Sequence, residues 1–164
     1  MYENIFTITS KNGNSRTGLL KTPHGIIETP VFMPVGTKGT VKTLSSEELE
    51  SLGAKMIISN SLHLYLRPGL DVIEKFGSLH NFMNYRGSIF TDSGGFQVIK
   101  EHFFISANEN GINFKSPMDG RRITLTPELS AEIQNSLGSD VAMALDYCIP
   151  YGNTKRKVER AVKL

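Results

Sequence analysis

Short apolar runs recur along the chain, and each delivers a polar or acidic residue or a turn at its C-terminal end. They are residues 31–35 (VFMPV), 56–59 (MIIS) before Asn60, 88–91 (SIFT) before Asp92, and 141–145 (VAMAL) before Asp146. Near-continuous hydrophobicity over so few residues is the pattern of a strand covered on both faces, as in a parallel sheet. Helix signals separate the runs. Ser45 stands three residues before Glu48, so a capping box can open a helix through Leu49 and Leu52 to Gly53. Apolar residues at helical spacing follow over 70–76 and 79–83. Thr126 and Pro127 supply an N-cap and a first-turn proline for a helix through Ile133 and Leu137 to Gly138. Alternation of this kind predicts an α/β fold whose strand ends converge on one face.

Two stretches interrupt the alternation. Residues 5–29 read as short strands broken by the turns Asn12-Gly13-Asn14-Ser15 and Thr22-Pro23-His24-Gly25, a small antiparallel lid or hairpin pair. Residues 103–105, 112–114 and 122–125, separated by polar turns, read as a β-meander inserted after the third strand. Four core strands with helical connections describe the N-terminal half of a (β/α)8 TIM-like barrel, a fold of about 250 residues. The expected division is an N-terminal β lid over 1–30 and barrel strands 1–4 over 31–164, with the insertion at about 99–125. A basic helical stretch over 155–164 ends the sequence without a capping residue, so a truncated or split protein is expected. A flavodoxin-like open sheet is the structural alternative, and the meander fits it less well.

Composition narrows the function classes. With 18 basic and 16 acidic residues the formal charge is +2, so a nucleic-acid partner would have to be held by a local patch. The single cysteine, Cys148, excludes an internal disulfide framework and any multi-cysteine metal site, and four scattered histidines do not supply one. No apolar segment approaches the roughly 20 residues of a membrane span, and no signal peptide is evident. The expectation is a cytoplasmic protein with no membrane association.

The chemistry concentrates in TDSGGFQV, residues 91–98. Asp92 falls where a strand ends, and Gly94 and Gly95 let the backbone turn sharply or press against a ligand. The same residues are ordinary turn formers, so a turn bonding only its own backbone is the competing reading. Asn60 and His63 arrive at the same end of the sheet; alternatively Asn60 caps the next turn and His63 is an edge histidine. Asp92 and Asp146 at neighbouring strand ends suit glycosyl transfer, where one carboxyl acts as acid or base and another attacks or supports positive charge. Phe96 offers a face on which a base can stack, or is a core aromatic. An ionised Asp146 can accept from both N1–H and the 2-amino group of guanine, a pair that adenine lacks.

TPVFMPVGT (29–37), NSLHLYLRPG (60–69), TDSGGFQV (91–98) and ALDYCIPY (144–151) resemble, in order, motifs of the tRNA-guanine transglycosylases, as does the whole stretch 116–146. The resemblance covers essentially the whole chain. It implies a modified TIM barrel that cuts the N-glycosidic bond of a guanine in tRNA, forms a covalent ribosyl-enzyme intermediate, and installs a 7-deazaguanine in queuosine biosynthesis. By motif, Asp92 is similar to the general acid/base, Phe96 to the stacking ring, and Asp146 to the base-recognising aspartate. Ser93, Asn60 and His63 fall in pocket-lining segments with Gly94 and Gly95, and Cys148 resembles a residue near the 7-substituent. The family's nucleophile is a further aspartate on a later strand, and its structural zinc is held by a later Cys/His cluster. Neither is expected within these residues, so the chain alone is expected to be inactive and to hold no metal or cofactor.

The implied partners are tRNA, guanine or a 7-deazaguanine, and a second copy or complementary chain. The wording of DSGGFQV and DYCIPY is closer to enzymes acting at the wobble guanine with a preQ1-type base; Leu62 and FFISANENG keep an archaeal preQ0-inserting enzyme as an alternative. A truncated paralogue that binds RNA or a catalytic partner is the rival, and an unrelated barrel glycosidase using Asp92 and Asp146 is a third reading.

Overall fold

The computed structural model describes residues 5–100 and 103–163. Residues 1–4 of the expected lid, 101–102 of the expected insertion, and Leu164 at the end of the basic stretch lie outside the described residues. The described residues form a mixed α/β protein with three three-stranded sheets.

The first sheet is antiparallel, from β1 (Phe6–Asn12), β2 (Ser15–Thr22) and β3 (Gly25–Thr29) in that order. The second is parallel and carries the candidate chemistry: β4 (Met56–Asn60) pairs with β5 (Ser88–Asp92), and β5 with the two-residue β9 (Val141–Ala142). The third, antiparallel, runs β6 (Phe104–Asn108), β7 (Gly111–Lys115), β8 (Arg122–Leu125).

Helices fill the connections where the caps allow. Helix α1 (Ser46–Ser51) opens on the Ser45/Glu48 capping box, both reciprocal bonds being present. Helices α2 (Ser61–Leu66), α3 (Leu70–Lys75) and α4 (Leu79–Met83) lie between β4 and β5, and α5 (Gly95–Lys100) follows β5. Helix α6 (Pro127–Leu137) starts at the Thr126 N-cap and ends at Gly138 in the left-handed conformation; it packs against α2 and α3. Helix α7 (Lys155–Lys163) is basic, with no buried residue. Ile57, Ile89, Leu64, Ile73, Ile133 and Leu137 form one core, joined by Phe114 and Leu125 from the third sheet.

Two expected strands are corrected. Residues 31–35 form no strand: only Val35 bridges to Ile58, flanked by Ile58 N–H on the Pro34 carbonyl (3.0 Å) and Gly36 N–H on the Ile58 carbonyl (2.7 Å). Pro30 and Pro34 lack ladder donors, and no strand lies beyond Val35 among the described residues, so Phe32 and Val35 stay 83% and 60% exposed. The run 141–145 is likewise not buried. Only Val141 and Ala142 pair, and Met143 and Ala144 are exposed, because β9 is an outer strand.

The N-terminal sheet sits at the end of the parallel strands opposite Asp92. Thr22 Oγ1 and Ser88 Oγ, on the first residue of β5, share a 2.7 Å hydrogen bond. His24 Nδ1 and His80 Nε2 each bond one oxygen of Asp140, at 2.8 and 3.0 Å, and Ile89 N–H donates to the same carboxylate at 2.7 Å. The two imidazoles stack with centroids 3.7 Å apart. Burial opposes ionisation of Asp140, but the hydrogen bonds from His80, His24 and Ile89 outweigh it and hold the carboxyl below its ordinary range.

Candidate functional site

Register builds the site. Parallel pairing of β4 with β5 sets Asn60 beside Asp92, the last residue of each strand. Asn60, 4% exposed, then does two things with one amide. Its Oδ1 accepts from His63 N–H (2.8 Å), capping α2, and its Nδ2 donates to Asp92 Oδ2 (2.8 Å). The competing readings of Asn60 as cap and as site residue are therefore both true of its geometry.

Asp92 is further held by Gly94 N–H on Oδ1 (3.1 Å) and by a longer contact from Gln97 Nε2 to Oδ2 (3.4 Å). Burial pushes its carboxyl above the ordinary carboxylate range; bonds from the Ser61 backbone, Asn60 and Gly94, and the charge of His63, only partly offset this. A carboxyl so biased is readier to carry a proton than a surface aspartate.

Ser93 links the two candidate carboxylates. Its buried Oγ donates to Asp146 Oδ1 (2.9 Å) and accepts from Gly95 N–H (3.3 Å). The glycines are there for space. Gly94 has φ +79°, and a Cβ on it would lie 2.5 Å from Leu62 Cβ; a Cβ on Gly95 would lie 2.6 Å from the Asp146 carbonyl oxygen. The segment leaving β9 thus crosses directly over Gly95. Phe96, the next residue of α5, is 48% exposed.

The fold therefore gathers Asn60, Asp92, Ser93, Gly94, Gly95 and Asp146 into one corner. His63 contributes its backbone N–H and its charge, and Cys148 is exposed two residues beyond Asp146. Neither the His63 ring nor the Cys148 thiol bonds to Asp92 or Asp146 among the described residues.

The sequence alone does not reveal three participants: Gln97 and the Ser61 backbone N–H, both on Asp92, and Ser130 of α6, whose Oγ donates to the Ser93 carbonyl at 3.2 Å. Gln97 lies inside the DSGGFQV motif, which was the available signal. His24 and His80, far apart in the sequence, converge with Asp140 so that three ligand-type atoms lie within 4.8 Å of one another. The rings do not suit a shared metal. A metal bound to both imidazoles must lie in both ring planes, and these are stacked and only 16° from parallel.

A cavity of about 790 Å³ lies elsewhere, between β3, residues 30–35 and α1; its walls include Phe32, Val35, Leu49 and Leu52. It is an apolar flank beside the Val35 edge and contains none of the corner residues. A cavity of about 210 Å³ between residues 147–153 and α7 carries Lys157 and Arg160.

A family model described as Queuine tRNA-ribosyltransferase matches residues 11–164. The chain is 54% identical over 151 residues to the queuine tRNA-ribosyltransferase of Thermoanaerobacter pseudethanolicus, covering 92% of this chain and 40% of that protein. It is 51% identical over 155 residues to that of Anoxybacillus flavithermus (94% and 41%), and 51% over 158 residues to that of Buchnera aphidicola subsp. Schizaphis graminum (96% and 43%). It thus spans 40–43% of the length of these relatives. By this match over nearly its whole length, the chain belongs to the queuine tRNA-ribosyltransferase family.

Proposed function

We propose that these residues form the base-handling part of a tRNA-guanine transglycosylase, which exchanges a guanine of tRNA for a 7-deazaguanine, with the preQ1 type at the wobble position favoured. The carrying observation is the corner itself: a half-buried, proton-biased Asp92 followed directly by Ser93, whose hydroxyl donates to the exposed carboxylate of Asp146. In this reading Asp92 protonates the departing base and takes a proton from the incoming one. Asp146 accepts from N1–H and the 2-amino group of guanine, and Phe96 stacks on the ring. Asn60, Ser93, Gly94 and Gly95 hold this arrangement, His63 lines the pocket, and Cys148 lies toward the 7-substituent.

Attack on the ribose rests with a further aspartate of the family domain, outside these residues, and so does the structural zinc. The donors here do not fit a Cys/His cluster, since the one thiol is exposed and both clustered imidazoles are engaged by Asp140. The order Val35, β4, β5, β9 matches the order in sequence, all parallel, which supports one half of a (β/α)8 barrel with the third sheet as an insertion after strand 3. The outer members Val35 and β9 and the apolar flank favour a complementary chain or segment that pairs with them. The same surfaces favour, as second reading, a non-catalytic subunit that binds RNA or a catalytic partner. Lys157 and Arg160 beside the 147–153 segment supply a local basic patch for tRNA phosphates. No described helix is long and apolar enough to cross a membrane, and a tRNA substrate fits a cytoplasmic protein.

Exchange of labelled guanine into tRNA tests the reading. No incorporation by this chain alone, and incorporation when the remainder of the family domain is added, is the expected result. Incorporation by the chain alone overturns the assignment of the attack to another segment; none in either case favours the non-catalytic subunit.

A further inference from the structure

Helix α6 holds the backs of both carboxylate-bearing strand ends. Ser130 and Gln134 are one turn apart on its buried face, and Gln134 is 1% exposed. Ser130 Oγ donates to the Ser93 carbonyl at 3.2 Å. Gln134 reaches the other strand, where the β5–β9 ladder fails. That ladder pairs Phe90 with Val141 and Thr91 with Ala142, and the next bond, Met143 N–H to the Thr91 carbonyl, has stretched to 3.3 Å.

The Gln134 amide takes over at that residue. Its Oε1 accepts from Met143 N–H (2.9 Å) and its Nε2 donates to the Met143 carbonyl (2.8 Å), as the peptide of a neighbouring strand would. The remaining valences are also used: Oε1 accepts from Thr91 Oγ1 (2.8 Å), and Nε2 donates to the Ser130 carbonyl (3.1 Å). Met143 N–H is thereby shared between β5 and α6, and its carbonyl is held by α6. Three residues later the chain crosses Gly95 and Asp146 meets Ser93.

We propose that Gln134, backed by Ser130, is a positioning residue: its side-chain amide shares the Met143 N–H with β5, holds the Met143 carbonyl, and so fixes where the Asp146 carboxylate meets Ser93, beside Asp92. What Asp146 then does rests on the base-exchange reading; how it is held does not. A glutamine that only filled the core would have no reason to bond both main-chain groups of the residue where the ladder ends.

The test uses Gln134→Glu, which keeps the shape and removes both N–H donors, and Thr91→Val, which removes one bond to Oε1 and leaves both bonds to Met143. Each is made in the 164-residue chain, with NMR reporting folding, Met143 amide exchange and the Ser93–Asp146 contact. Guanine and hypoxanthine are titrated in parallel, because hypoxanthine lacks the 2-amino group. In folded Gln134→Glu, Met143 N–H keeps its oxygen acceptor and stays slow to exchange, but the Met143 carbonyl loses its donor, the Ser93–Asp146 contact disappears, and the guanine-to-hypoxanthine affinity ratio falls about ten-fold. Thr91→Val loses stability and keeps the ratio. A folded Gln134→Glu that keeps both contact and ratio overturns the proposal, because simple destabilisation weakens both bases alike. If Gln134→Glu does not fold, Ser130→Ala decides; a ratio lowered about three-fold supports the proposal and an unchanged one overturns it. A wild-type chain with no preference for guanine contradicts the base-exchange reading instead, and the Ser93–Asp146 contact in the variants then decides the positioning claim by itself.

Discussion

Asn60 Nδ2 donates to Asp92 Oδ2 at 2.8 Å across the last ladder pair of β4 and β5, while the other end of the same amide caps α2. One side chain thus couples the start of a helix to the protonation of a carboxyl on the next strand.

Separating the two tasks is straightforward. Asn60→Ser keeps an oxygen for His63 N–H but is too short for Asp92, so stability falls by less than about 1 kcal/mol; Asn60→Ala removes the cap as well and loses about 1 kcal/mol more. Both push Asp92 further above the ordinary carboxylate range. With its pKa raised on folding, Asp92 contributes stability fully present below the unfolded value and lost as pH rises through the folded one, and the variants extend that window upward. Urea denaturation and carboxyl carbon NMR titration check both statements.

The two glycines fail differently when given a methyl group. Gly94→Ala meets a positive φ and Leu62 Cβ together and destabilises the fold by more than about 1 kcal/mol. Gly95→Ala meets the main chain of Asp146 and displaces the segment that carries it. Its urea midpoint stays near wild type while guanine affinity falls about ten-fold.

Phe96→Ala is expected to weaken base binding by about 1–3 kcal/mol with a smaller effect on folding, since the ring is 48% exposed. Parallel base titration and thermal unfolding separate the two.

At the opposite end of the strands, Asp140 gives the fold an acid-sensitive tie. Its folded pKa is depressed, so its contribution is present above the ordinary aspartate range and is lost as pH falls through the depressed value. Asp140→Asn can satisfy only part of the set of His24, His80 and Ile89 N–H, and loses about 1–3 kcal/mol. Amide exchange in β2 and β3 rises in this variant and, in wild type, at acid pH.

What was legible in the sequence was local. The Ser45/Glu48 box, the Thr126-Pro127 helix start and the position of Asp92 at a strand end follow from residues within a few places of one another. Helices α2 and α5 escape because each begins at or just past a strand's last residue, among Asn, Ser and Gly residues that read equally well as a turn. Residues 31–35 and 141–145 read as buried because apolar runs report what a strand could be covered by, whereas both lie at the outside of the parallel sheet. Gln134 on Met143 and His24 on Asp140, 116 residues apart, are partnerships that only the folded chain brings about.

The central claim is that the Asp92–Asp146 corner holds a guanine by its Watson–Crick edge, and NMR titration of this chain with guanine and with adenine tests it most directly. Guanine should shift the Asp146 carboxyl, Phe96 and Gly95 signals together while adenine leaves Asp146 unmoved. Equal shifts with both bases, or none at Asp146 with guanine, would contradict it.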